Sequence, residues 1–320
     1  MANLDFERPI IELQRKIEEL RTFASGRHVD LSSEIKTLEE KLTKLRKDTY
    51  ANLSAWQRVQ IARHPGRPYS LDYIKLITSD FIELHGDRLF GDDKAIICGL
   101  AKVSGKKILI IGQQKGRDLK ENILRNFGCA HPEGFRKSMR LMKMAACFNL
   151  PIVVFIDTPG AYPGIGAEER GQAQAIAYNL REMMLVGVPI VAVVIGEGGS
   201  GGALGIGIAD KICILENAYY SVISPEGCAA ILWKSSGKAA EAAEALKLTA
   251  GDLLKAGLVD EVIPEPLGGA HNDPEKTANN IKETLIRYLE ELSHIPQEEL
   301  LEQRYEKFRR VGRIDTEEPS

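Results

Sequence analysis

Two segments 38 residues apart, Pro151-Ile152-Val153 and Pro189-Ile190-Val191, open the same pattern twice. Each begins an apolar, β-branched run (Pro151 to Ile156, Val188 to Ile195) that ends in a glycine-bearing loop and leads into a helical pattern. Short apolar runs without polar alternation are strands buried on both faces, and strands joined through helices lie parallel. The repeat therefore restricts the fold to α/β, with a mainly parallel sheet and its functional loops at the carboxyl ends of the strands. Both glycine loops fall there.

The second loop, Gly196 to Gly205, holds six glycines in ten residues. Without a Cβ the backbone is free to take positive φ, and a bound group is able to approach bare N–H donors at a helix N-terminus. That reads as a cradle for an anion or oxyanion. The competing reading is that the glycines only let helix and sheet pack closely.

Composition narrows the partners. With 320 residues, 44% of them apolar, the chain buries a large core. A net charge of −3 gives no sign of a nucleic-acid or membrane surface. No run approaches the roughly 18 apolar residues of a membrane span, and Met1 to Asp5 starts no signal peptide, so a cytoplasmic protein is expected. Cys98, Cys129, Cys147, Cys213 and Cys228 lie far apart and read mostly as small core residues.

In chain order, Ile10, Leu13, Ile17, Leu20 and then Leu31, Ile35, Leu38, Leu42, Leu45 step by threes and fours, predicting a helical hairpin broken at Ser25 to His28. Residues 1–64 form this unit, with a boundary near residue 65, and Leu71 to Leu84 reads as helical. Ile96–Val103 and Lys107–Gln113 flank Ser104-Gly105 as a β-hairpin. A helix opens at Pro132 with Phe135, Met139, Met142 and Ala146 inward, and another spans Ala167 to Val186. A strand region at Ile212 to Ile223 reaches a helix start at Ser224-Pro225, and the chain is helical after Ala239. Pro264 to Gly269 is a linker before helices at Thr277 to Leu292 and Pro296 to Arg310; residues 65–295 are the main domain, and 296–320 are a last helix with a disordered tail.

Several motifs are decoys. Gly196, Gly198 and Gly201 fit the dinucleotide fingerprint, yet in the third unit and without the acidic residue about 20 positions on. Asp157-Thr158-Pro159-Gly160 resembles a GTPase loop but lacks an upstream P-loop. Met142-Lys143-Met144 copies a biotin-acceptor core inside a helical pattern, where a tight hairpin is needed. Ser200 stands after a strand and before a helix, as a hydrolase nucleophile does, but in only a loose match to G-x-S-x-G. No histidine sits in a nucleophile-base pattern, and no metal-ligand spacing occurs. What remains is chemistry by backbone donors, suited to charge building on a carbonyl oxygen, where one donor contributes ~3 kcal/mol.

Asp157 to Gly164, Gly166 to Gly171, Val194 to Leu204 and Ser221 to Ala229 closely resemble the α-subunit family of bacterial acetyl-CoA carboxylase carboxyltransferases, and the likeness runs from Phe6 to His271. The resemblance implies a crotonase-like (ClpP/crotonase) spiral of β-β-α units. It implies transfer of a carboxyl group from carboxybiotin to acetyl-CoA, giving malonyl-CoA, with no covalently bound cofactor and no metal on this chain. It further implies an α2β2 assembly with a zinc-bearing β subunit, served by a biotin carboxyl carrier protein and biotin carboxylase. Carried onto these residues, it places the oxyanion hole for the biotin ureido oxygen at Gly201 and Gly202. Gly160, Ala161, Tyr162, Gly164 and Gly199 become the carboxybiotin pocket, and Lys115 and Arg117 contacts to the CoA phosphates. A nucleotide-binding regulatory protein built on the Asp157 loop is the alternative from another class.

Overall fold

The computed structural model describes residues 4–27 and 30–312, so His28 in the expected hairpin break and the tail beyond Gly312 lie outside the described residues. Helices α1 (Arg8–Arg27) and α2 (Ser32–Ala51) pack against each other as the hairpin, α1 running on through Ser25 and Gly26. Ser54 caps α3 (Ala55–Ala62) by accepting from the Gln57 N–H at 3.2 Å. Val59 and Ala62 of α3 are buried with Tyr219, Ala243 and Leu248. The break expected near residue 65 therefore does not separate α3 from the body.

The body is one eight-stranded sheet. Helix α4 (Ser70–Ile77) is followed by β1 (Ser79–Glu83), so the stretch expected to be helical to Leu84 changes form at Thr78. Strands β2 (Ile96–Val103) and β3 (Lys106–Gln113) form the expected antiparallel hairpin. Its turn residues Ser104 (φ 48) and Gly105 (φ 84) are both left-handed, as a two-residue turn requires. After α5 (Leu119–Leu124) and α6 (Pro132–Cys147), β4 (Ile152–Thr158) lies parallel to β3. The helix expected from Ala167 to Val186 is two helices, α7 (Ile165–Glu169) and α8 (Gln172–Met183), divided at Gly171 with φ 80.

Strand β5 (Ile190–Gly199) pairs parallel with β4, Ile152 against Ile190 and Val153 against Val191. The two copies of the repeat thus lie side by side, in register, at the centre of the sheet. Next come α9 (Ser200–Gly207), β6 (Lys211–Leu215), β7 (Tyr219–Ser221), α10 (Pro225–Trp233), α11 (Ala239–Leu246), α12 (Ala250–Lys255) and β8 (Glu261–Ile263). The strand order is β1-β2-β3-β4-β5-β6-β8, with β7 paired to the end of β5. Helices α6, α8 and α9 pack on one another, while α13 (Pro274–Ser293) packs on α4, β5 and β8.

Helix α14 (Gln297–Arg310) docks through Leu300 in the core, Phe308 packed against it, Lys307 on Asp260 and the side chain of Arg304. Buried Arg304 places all five of its N–H donors. Two go to Asp210 (2.8 Å each), two to the carbonyls of Met183 and Val186 (2.8 and 2.7 Å), and one to Val188 (3.0 Å). Asp210 in turn accepts from the Ile190 N–H at 2.7 Å, at the start of β5. An arginine fork fits a carboxylate and ringed carbonyls in this way, and a buried charge needs such partners. Of the cysteines, Cys98, Cys213 and Cys228 are buried, Cys129 half-buried and Cys147 exposed.

Candidate active site

The carboxyl ends of β4 and β5 bring the two glycine loops into contact. Strand β5 carries two extra residues near its end, because Ile156 faces Val194 while Thr158 faces Gly198. It therefore continues through most of the glycines, and α9 begins only at Ser200. A Cβ on Gly196, Gly198, Gly199, Gly202 or Gly205 would lie as close as 2.2 Å (Gly199 against the Pro159 carbonyl) and at most 2.7 Å (Gly198 against Tyr220) from a neighbour. These five glycines are there for close packing. Gly201 differs: its Cβ would be 3.6 Å from Ile176, an ordinary contact. Gly160 on the facing loop has nothing within 4 Å, whereas Gly202 meets the Gly160 carbonyl carbon at 2.3 Å. The two loops thus touch at Gly202 and stay open at Gly160 and Gly201.

The left-handed residue in this turn is Ser200 (φ 51), not a glycine as expected. No side chain caps α9, and the first N–H groups of a helix have no intrahelical partner. Such donors at an open glycine are what an oxyanion site requires. Among the described residues no hydrogen bond links Ser200 to a histidine, which leaves it without a base for hydrolase chemistry.

Beneath the loops lies a network of charges. Asp157 at the end of β4 accepts from the Lys115 ammonium (2.7 Å) and from the Glu197 N–H (2.9 Å). Glu197 accepts from Lys115 (2.7 Å), Arg63 (2.7 Å) and the Tyr219 hydroxyl (2.6 Å). Burial pushes the Glu197 carboxyl up, but Lys115 and Arg63 outweigh it and hold the group at about 2. Burial likewise opposes charge on Lys115, and its two carboxylates more than offset this, keeping the ammonium above its ordinary value. Buried Gln113 ties the loops together, donating to the Gly202 carbonyl (2.7 Å) and accepting from the Asp157 N–H (3.1 Å).

Gly160, Ala161, Gly199, Gly201 and Gly202 lie on the two loops that meet here. Tyr162 stands beside them, its ring stacked 4.1 Å from His131 and filling the space a Cβ on Gly164 would need. Its carbonyl accepts from Gln172 at 3.0 Å, and Ala161 bridges to Ala130. Lys115 and Arg117 both have partners within the chain. Lys115 is committed to Asp157 and Glu197. Arg117 stacks on Tyr69 and folds back onto Asp72 and the carbonyls of Pro65 and Arg67. The Asp157 carboxylate is buried in the same network, so it is not offered to a metal-nucleotide complex, and the regulatory GTPase-like reading loses its key residue. Lys143 lies within α6, bonded to Tyr178 (2.6 Å) and Glu182 (2.7 Å), away from any hairpin. Sequence reasoning missed Gln113, Glu197, Arg63 and His131, because each acts through a partner distant in the chain. Among the described residues no group of three or more His, Cys, Asp or Glu is placed to hold a metal, and no helix is long and apolar enough to cross a membrane.

A family model described as acetyl co-enzyme A carboxylase carboxyltransferase-like matches residues 3–312. The chain belongs to this carboxyltransferase family. It is 58% identical over 311 residues to the acetyl-coenzyme A carboxylase carboxyl transferase subunit alpha of Geobacter metallireducens, covering 97% of this chain and 98% of that protein. The subunit of the same name from Thermus thermophilus is 58% identical over 309 residues, covering 97% and 98%. Solved structures extend the likeness at the level of the fold. Transcarboxylase 12S, with methylmalonyl-coenzyme A and methylmalonic acid bound, superposes with a TM-score of 0.54 at 23% identity, over 68% of this chain and 41% of that one. A Pseudomonas malonate decarboxylase hetero-tetramer in complex with coenzyme A gives 0.58 at 15% identity, over 73% and 91%. The carboxyltransferase family member described here has the crotonase-like fold expected.

Proposed function

We propose that this chain is the α subunit of an acetyl-CoA carboxylase carboxyltransferase. In the cytoplasm, with a zinc-bearing β subunit in an α2β2 assembly, it moves the carboxyl group of carboxybiotin to acetyl-CoA. The product is malonyl-CoA, formed in the first committed step of fatty-acid synthesis. Carboxybiotin arrives on a biotin carboxyl carrier protein charged by biotin carboxylase. The observation that carries the reading is the open pair Gly160 and Gly201 at the uncapped start of α9, within a chain that matches named α subunits over nearly its full length.

The chemistry asks little of side chains. Carboxybiotin releases CO₂, the biotin anion takes a proton from the acetyl methyl group, and the resulting enolate carbon attacks CO₂. Negative charge gathers transiently on the ureido oxygen, and the backbone N–H groups of Gly201 and Gly202 are assigned to it. One such donor contributes ~3 kcal/mol when preorganised. Tyr162, set by His131 and Gly164, forms the facing wall with Gly160 and Ala161; Gly199 and Gln113 hold the two loops at their spacing. The thioester oxygen carries the second charge and falls to the β subunit. The test is biocytin-dependent decarboxylation of malonyl-CoA, the reverse half-reaction, on this chain alone and with a zinc-ribbon β subunit. Activity only in the mixture is expected; none in a stable complex overturns the reading.

A further inference from the structure

Helix α6 presents Arg136, Arg140 and Lys143 along one face, and with Arg170 they ring a cavity of about 370 Å³ next to α8, with Tyr178 on its wall. The charges around it are layered. Asp87 and Glu133, which answer Arg136 and Arg170, have side chains only 0% and 4% exposed, whereas those of Arg136, Arg170 and Lys143 are 20%, 27% and 48% exposed. Acids face the protein and bases face the cavity. Two of the acids are also shared: Glu133 serves Arg136 (3.0 Å) and Arg170 (2.6 Å), and Glu182 serves Lys143 (2.7 Å) and Arg181 (2.7 Å).

Among the described residues Arg140 makes no direct ion pair, although Asp87 and Asp92 lie near enough to act on its charge. Its guanidinium donates to the carbonyls of Gly86 and His85 (3.1 Å each), and the exposed Arg88 donates to the same His85 oxygen at 3.1 Å. Two like charges therefore converge on one carbonyl oxygen. Burial and the nearby Arg88 both hold Arg140 below its ordinary value, so an anion seated there gains from both. Guanidinium forks match phosphate oxygens in pairs, and a concave cavity of this size suits a small molecule better than a flat protein face.

We propose that this cavity is a binding site for a ligand bearing two or more phosphate groups, held by Arg136, Arg140, Lys143 and Arg170 on its wall, with Arg88 next to Arg140 adding charge at its edge. It is close to the glycine loops. Gly171, before α8, and Gln174 and Tyr178 on it line the cavity, while Ile176 of α8 touches the position of Gly201. One helix diameter, about 10 Å, lies between them. The same phosphate chemistry has two sources: the diphosphate and 3′-phosphate of coenzyme A, a source that rests on the function proposed above, or a separate nucleotide.

The experiment uses the assembled complex. Calorimetric titration with inorganic pyrophosphate, ADP, coenzyme A and dephospho-coenzyme A is compared between the wild type and two variants, Arg88→Glu and Arg140→Gln, whose melting temperatures are checked first. Arg88 is exposed and bonds only one carbonyl, so Arg88→Glu keeps the fold. At least a tenfold loss of pyrophosphate and ADP affinity is expected in each variant. If coenzyme A affinity and the KM for acetyl-CoA weaken in step while the KM for biocytin holds, the ligand is the acyl carrier; if they hold, it is a separate nucleotide. No measurable pyrophosphate or ADP binding by the wild type, or unchanged affinities for all four probes in folded variants, overturns the site. Carboxyl transfer by the wild type is scored separately. Transfer without phosphate binding sinks this site alone, and phosphate binding without transfer sinks the function alone.

Discussion

Gly201 and Gly202 are adjacent, yet their α-hydrogens point into different surroundings. A methyl group at Gly202 meets the Gly160 backbone at 2.3 Å, and backbone has no other rotamer to take. Gly202→Ala is expected to lower stability by about 1–3 kcal/mol through overpacking, read as a shift in the urea midpoint. Gly201→Val should leave that midpoint near wild type and instead cut carboxyl transfer in the assembled complex by about 10²-fold or more, because its isopropyl group fills the open space in front of the donors while the N–H itself remains. A Gly202→Ala variant as stable as wild type, or a Gly201→Val variant that unfolds, would sink the assignment of close packing to Gly202 rather than Gly201. From sequence the six glycines look alike. What separates them is the neighbour each one makes room for, and those neighbours (Asp157, Pro159, Gly160, Phe135, Tyr220) come from other strands, loops and helices.

At the scale of elements, Gly171 divides α7 from α8 in the left-handed region, where a Cβ costs about 1–2 kcal/mol. Gly171→Ala is expected to destabilise the chain by that amount. It should also raise the KM for biocytin, since Gln172 next to it holds the Tyr162 and Ala130 carbonyls (3.0 and 2.8 Å). A wild-type KM in the variant would mean that α8 does not position the Tyr162 wall. Much at this scale was legible beforehand. The β2/β3 hairpin, helix α6 and the paired strands β4 and β5 follow from local pattern, and the loops at their ends follow from parallel topology. The misreadings share a cause. Strand β1 continues the helical spacing of Leu71, Ile74 and Ile77, and only its pairing with β2 makes it a strand. Strand β8 has three residues and exists through β6. The Lys115 cluster joins residues 42 and 82 positions apart, beyond the reach of any periodicity.

For the whole molecule, the buried charges set the acid limit. Glu197 titrates at about 2 in the folded chain against an ordinary 4.5, so the stability it contributes is complete above about pH 4.5 and is lost as pH falls toward 2. Burial, His64 and Arg67 hold His271 at about 4 against 6.5, so its contribution is complete above pH 6.5 and fades toward pH 4. Stability should therefore decline from pH 6.5 downward in two stages. Glu197→Gln should flatten the lower one by up to about 1.4 kcal/mol per pH unit, measured as unfolding free energy from pH 5 to 2.5. An unchanged lower limb in that variant would mean Glu197 titrates as an ordinary carboxyl.

Arg304 orders the molecule in time as well as in space. Asp210, which holds the first residue of β5, waits 94 residues for the guanidinium that neutralises it. At roughly 5–20 residues per second of synthesis, that wait lasts about 5–19 s. During it the central strand has been made, and its charged anchor has no counter-ion. The strand that carries the glycine loop is thus locked by a side chain made 94 residues after its own anchor.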